Sequence, residues 1–137
     1  MPTRYTVKEI PATATQPTVH YTMLEVVEGP TWGTLTAIDT RNQGRIRWQV
    51  KTAQPLVGGV LATAGDVVFA GEGNGDFSAF HAQTGERLWT FNCGAGVNAP
   101  AVTYELDGVQ YIAVAAGGSA IFGYRQGDAV VVFALMR

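Results

Sequence analysis

Along the 137 residues, apolar positions recur at intervals of two and almost nowhere at intervals of three or four. Thr34 to Ile38 alternates, and Arg45-Ile46-Arg47-Trp48-Gln49-Val50 alternates polar with apolar over six residues. That period belongs to a strand with one wet face. Short apolar runs at 60–64 and 66–70 are split by Gly65-Asp66, a dipeptide suited to a hairpin turn. Further runs at 76–80, 87–91, 99–104, 110–115 and 129–135 are each bounded by Gly, Asp or Asn. The pattern predicts an all-β chain.

A longer period overlies the short one. Gly33 to Trp48 reads GTLTAIDTRNQGRIRW, and Gly75 to Trp89 reads GDFSAFHAQTGERLW. In each, a small-residue strand meets Asp or His, then a glycine turn, then a strand ending in Trp. Strands every 8 to 12 residues inside a unit of about 42 match one four-stranded propeller blade. Residues 59–91 make one full blade, 33–50 the two outer strands of the blade before it, and 98–135 three strands of the blade after. This is a partial β-propeller of about two and a quarter antiparallel blades. An array so short leaves apolar blade faces and strand edges open, which calls for copies of itself or a chain carrying the remaining blades.

Residues 1–30 differ from 31–137. They hold four of the six prolines and no sustained period, and read as an extended N-terminal arm with an edge strand near Val19 to Val26.

Charge narrows the function. Nine basic against eleven acidic residues give −2, with no concentrated basic face, so the chain is not expected to bind nucleic acid. Its longest apolar run, Ala129 to Met136, is too short for a membrane span. The first residues lack the apolar stretch of a signal peptide. A single cysteine, Cys93, rules out an internal disulfide and reads as a small buried residue. GEGNGDF (71–77) has the glycines of a phosphate loop, but it joins two strands with no helix to follow and reads as a hairpin loop. Glu72, Asn74 and Asp76 lack the spacing of a calcium loop. His81 stands where the repeat has Asp and reads as a turn residue. No catalytic constellation and no metal-ligating set stand out.

The repeat resembles the tryptophan-docking motif of quinoprotein dehydrogenases, the eight-bladed propellers that bind pyrroloquinoline quinone (PQQ). Ala79 to Trp89 matches it well, and Ala37 to Trp48 matches with one extra residue. The likeness extends over 58–80, 94–118 and 127–135, which are similar to the last blades of PQQ-dependent alcohol and sugar dehydrogenases. The resemblance implies structural roles for Trp48 and Trp89, each stacked between neighbouring blades, and leaves Trp32 unassigned. It implies PQQ as cofactor, with Asn98, Gly117 and Gly118 as rim residues facing it, and a periplasmic location. The family's calcium ligands, adjacent-cysteine disulfide and catalytic Asp belong to blades with no counterpart here, so calcium would enter only through those blades. The resemblance therefore implies the C-terminal blades of a PQQ-dependent dehydrogenase, not catalytic alone. Val57 before Gly58-Gly59, and Ala115-Ala116-Gly117-Gly118, depart from the alcohol-oxidising pattern and leave alcohol and sugar both open. The alternative is a non-enzymatic scaffold, since the same repeat builds outer-membrane assembly lipoproteins.

Overall fold

The computed structural model describes residues 3–26 and 29–135, and eleven strands with no helix account for its regular structure. Two compact units divide the chain, Met1–Thr31 and Trp32–Arg137. In the first, β1 (Thr3–Ile10) and β2 (Val19–Val26) pair antiparallel from Thr3↔Val26 to Ile10↔Val19. The strand expected at 19–26 is present. Its partner at 3–10 is a strand the sequence reading did not contain, although Tyr5 and Val7 alternate with Arg4, Thr6 and Lys8 in the manner of one.

The second unit holds three antiparallel sheets. β3 (Gly33–Asp39) pairs with β4 (Arg45–Thr52). β5 (Val60–Ala62), β6 (Val67–Gly71), β7 (Asp76–His81) and β8 (Arg87–Asn92) follow in chain order as a four-stranded sheet. β9 (Val102–Leu106), β10 (Val109–Ala116) and β11 (Ala129–Ala134) make the third, with β10 in the middle. Nine strands in three antiparallel sheets, sequential neighbours paired within each, are the partial propeller that the 42-residue period predicts.

The two repeat copies fold alike down to an irregularity. β3–β4 shifts register between Ala37 and Ile38, and β7–β8 between Ala79 and Phe80. Each bulge leaves an alanine opposite a tryptophan, Ala37↔Trp48 and Ala79↔Trp89. The β3–β4 turn is closed by Gln43 and Gly44 at φ 55° and 72°, the β7–β8 turn by Gly85 at 76°.

The core lies on both faces of the middle sheet. Leu35, Val68, Ala70 and Phe80 are buried towards the first sheet, with Trp48, Val50 and Leu56 packed against them. Phe77, Ala95, Val97, Val114 and Ala116 are buried towards the third, beside Phe69 and Phe133. A side chain such as Phe77, almost wholly removed from water, contributes about 2–3 kcal/mol.

Several boundaries differ from the pattern by a few residues, β5 ending at Ala62 and not 64 among them, and two have a plain cause. The third sheet begins at Val102, not at 99, because Asn98-Ala99-Pro100 is loop and Pro100 has no N–H for a ladder. Asp66 sits at φ 59° in the turn, so β6 starts one residue later than the apolar run.

Candidate functional site

Chain direction alternates within each sheet, so successive connections fall at opposite ends. One end gathers the segments 53–59, 72–75, 93–101 and 117–128. Backbone hydrogen bonds tie the last three of them into one surface. Val97 N donates to Glu72 O (3.0 Å), Gly96 N to Arg125 O (2.9 Å), and Gly118 N to Gly96 O (2.8 Å). Cys93 N donates to Gly75 O (2.8 Å). Glycines allow the close approach: a Cβ on Gly71 would stand 2.3 Å from Val97 Cγ1, and one on Gly73 2.3 Å from the Tyr124 ring.

All three residues expected at a cofactor rim lie on this surface. Asn98 follows the fully buried Val97, and its carbonyl oxygen would be 2.9 Å from a Cβ on Gly58, so the 53–59 and 93–101 segments touch there. Both polar atoms of the Asn98 amide are buried and make no hydrogen bond in the structure. A buried amide without partners is costly, and a ligand that supplies them relieves the cost. Gly117 has open space where a Cβ would be, with only Gly127 O at 3.9 Å. Gly118 is set by its own loop: φ is 68°, and a Cβ would strike Arg125 O.

Sequence reasoning did not single out Tyr124. Its ring stacks on Phe122 (5.8 Å) in the slot left by Gly73 and Gly96, and its hydroxyl is buried without a partner. Burial raises its pKa above the ordinary 10.0. The signal available was the glycine spacing at 71, 73 and 96, which marks a slot but not its occupant.

The GEGNGDF loop binds its own neighbours. Glu72, 2% exposed, accepts from Arg87 Nη2 at 3.0 Å. Arg87 Nη1 also donates to Ser78 Oγ (3.1 Å). Asp76 accepts from Asn74 Nδ2 and from Asn92 Nδ2, each at 2.8 Å. These carboxylates are committed to protein partners. Among the described residues no group of three His, Cys, Asp or Glu side chains could hold a metal ion. Cys93 is half-buried, and burial, then the nearby Asp76 carboxylate, push its thiol above the ordinary 9.0, the opposite of an activated nucleophile. His81 is a turn residue: its Nδ1 accepts from Gln83 N (3.1 Å), as Asp39 Oδ1 accepts from Arg41 N (3.0 Å) in the first copy.

At the opposite end, Trp48 reaches from the first sheet onto the β7–β8 turn. Its Nε1 donates to Ala82 O at 2.8 Å, and its ring fills the space a Gly85 side chain would need, 2.6 Å from the Cβ position. Trp89 is 40% exposed and borders an apolar cavity of about 460 Å³ with Phe69, Leu88, Ile112 and Phe133. No described helix is long and apolar enough to cross a membrane.

Known proteins resemble this chain over most of its length. The family described as "PQQ: Glucose/ethanol/alcohol dehydrogenase, beta-propeller domain" matches residues 3–112. Quinoprotein alcohol dehydrogenase PedE of Pseudomonas putida is 49% identical over 85 residues, 62% of this chain and 13% of that protein. Quinoprotein glucose dehydrogenase of Escherichia coli is 32% identical over 126 residues, 77% of this chain and 16% of that protein. The crystal structure of quinohemoprotein alcohol dehydrogenase from Comamonas testosteroni superposes with a TM-score of 0.67 at 36% identity, covering 82% of this chain and 18% of that one. The chain thus spans less than a fifth of each of these relatives. With a match from residue 3 to residue 112 and the blade architecture described above, the chain belongs to the PQQ glucose/ethanol/alcohol dehydrogenase β-propeller family.

Proposed function

We propose that this chain forms the C-terminal blades of a PQQ-dependent dehydrogenase and supplies one side of its cofactor rim from the 53–59, 93–101 and 117–128 segments. The observation that carries the reading is the unpartnered, buried amide of Asn98 on the same loop face as the open Gly117, the two segments being joined by the Gly118 N–H to Gly96 O bond. PQQ is a flat quinone edged with carboxylates and carbonyls. An amide that can both donate and accept, on a face that also carries a glycine with no side chain in the way, fits one edge of it. The chemistry PQQ supplies when bound is two-electron oxidation of a hydroxyl-bearing carbon. In this chain Asn98 would hold an edge of the group, Gly117 would let it approach the backbone, and Gly118 would keep the turn that presents Gly117. The resemblance assigns the catalytic Asp to other blades, so we read the chain as not catalytic alone. The curated relatives named above are dehydrogenases, which favours this reading over a scaffold. Alcohol is favoured over sugar as substrate by the higher identity to the alcohol enzyme.

Its partner would be the remaining blades, on another copy or another polypeptide, in the periplasm where the family works. Titrating PQQ into the ¹⁵N-labelled chain tests the cofactor role. The amide signals of Asn98, Gly117 and Gly118 are expected to move together while the Trp48 indole signal stays. Stationary signals at those three positions would overturn it. Light scattering reads the partner: a defined multiple of the 14.6 kDa chain mass favours copies, and a monomer favours another polypeptide.

A further inference from the structure

Glu72 is the one almost wholly buried charge of the loop face, and packing alone gives no reason for it. A carboxylate 2% exposed costs several kcal/mol unless its lone pairs are used. They are used on two segments, and the backbone of the same residue reaches a third. Oε1 takes Arg87 Nη2 of β8, and Oε2 takes the backbone N–H of Gln54 (3.4 Å). The carbonyl oxygen of the same residue takes Val97 N (3.0 Å) and Gly75 N (3.1 Å). The rest of the loop grips the other end of the same segment. Gly75 O takes Cys93 N, and Asn92, held by Asp76, takes Gly94 N at 2.9 Å. The segment that delivers Asn98 is thus fastened at 93, 94 and 97 by residues 72–76 and Asn92, while Glu72 alone also reaches the segment that delivers Gly58. Those two segments meet where Gly58 faces Asn98 O.

We infer that Glu72 is a positioning residue: its carboxylate holds the 53–59 segment on the 72–76 loop, whose backbone holds the 93–97 segment, and thereby sets Gly58 against Asn98. Its effect on PQQ rests on the proposed cofactor role; the positioning itself is readable without PQQ. The arrangement gives GEGNGDF a function that is neither phosphate nor calcium binding.

The test compares Glu72→Gln with Arg87→Met in the whole 137-residue chain. Glu72→Gln keeps a carbonyl for Arg87 but turns an NH₂ towards the Gln54 N–H, so it breaks the link between segments. Arg87→Met leaves the Gln54 and Val97 links intact but strands a buried charge. Amide spectra, melting temperature and PQQ titration are recorded for both. Glu72→Gln is expected to shift the signals of Gln54, Gly58, Val97 and Asn98 and to weaken PQQ about tenfold, the loss of roughly one hydrogen bond. Arg87→Met is expected to melt lower than Glu72→Gln yet keep those signals and the PQQ affinity below its transition. A merely structural ion pair would give the reverse order, with binding lost in proportion to melting temperature, and that result overturns the inference. So do Glu72→Gln shifts confined to 71–76 and β8. If Glu72→Gln does not fold, Glu72→Asp, which keeps the charge and shortens the reach, is read in the same way. If the wild-type chain shows no PQQ-induced shifts while Glu72→Gln moves Gly58 and Asn98, the cofactor role falls and the positioning stands.

Discussion

Trp48 and Trp89 occupy the same place in two copies of one repeat, each opposite an alanine across the same kind of bulge. One is finished and the other is not. Trp48 has a turn to sit on: Ala82 O takes its indole N–H, and Gly85 leaves room for its ring. Trp89 meets aromatic rings instead, Phe133 at 4.9 Å, Phe91 at 6.2 Å and Phe77 at 6.4 Å, with an apolar cavity beside it. The difference lies in the neighbour. The middle sheet has a third and a fourth strand with a glycine turn between them, and the third sheet has three strands among the described residues. A repeat of this kind stabilises a blade only through the next one.

Truncation should separate the two sites most widely. Trp48→Ala removes a ring wedged between sheets together with a satisfied N–H, and should cost about 3 kcal/mol. Trp89→Ala removes a ring already 40% in water and should cost about 1 kcal/mol. Urea denaturation of both variants measures the gap. Equal losses would mean that the copies are equivalent in energy and that the docked contact adds nothing.

The turn under Trp48 offers the next largest effect. Gly85→Ala puts a Cβ into a position 2.6 Å from the indole and onto a backbone at φ 76°, and should destabilise by about 2 kcal/mol. Gly108 at the β9–β10 turn has the same φ, 76°, and no atom within 4 Å of its Cβ position, so Gly108→Ala isolates the backbone share at about 1 kcal/mol. The remainder measures what Trp48 itself demands. If both cost the same, the ring moves aside and the contact is soft.

This contrast also explains what the sequence made legible. The repeat copies declared themselves because backbone needs fix their residue types: alanine opposite tryptophan at a bulge, glycine where φ is positive. The two-residue periods placed β3 and β4, each with one wet face. β1 escaped because its alternation is short and the prolines nearby argued for an arm. At the loop face, resemblance pointed to Asn98, Gly117 and Gly118, whereas the residues that hold the face together stayed hidden. Glu72 and Arg87 lie fifteen positions apart, and Tyr124 lies far from Gly73 in sequence. Nothing in a local pattern encodes contacts between separate segments.

A finer comparison uses the single thiol as a probe of which side is loose. Cys93 packs against the core between the second and third sheets, on the Trp89 side. Burial and the Asp76 carboxylate hold its pKa above 9.0 in the folded chain. Because the folded value is the raised one, the thiol contributes stability that is present below the unfolded pKa and is lost as pH rises through the folded one. Above pH 9 the chain should therefore lose stability as the thiol ionises, and Cys93→Ser should flatten that decline. Alkylation by iodoacetamide reads the same group locally. It should be slow at pH 8, speed up several-fold in Trp89→Ala, where the third sheet opens more readily, and stay near the wild-type rate in Trp48→Ala at matched distance from melting. If Trp48→Ala speeds alkylation as much as Trp89→Ala, opening is global, the two sides of the middle sheet are one cooperative unit, and the distinction between a docked and an undocked tryptophan has no dynamic consequence.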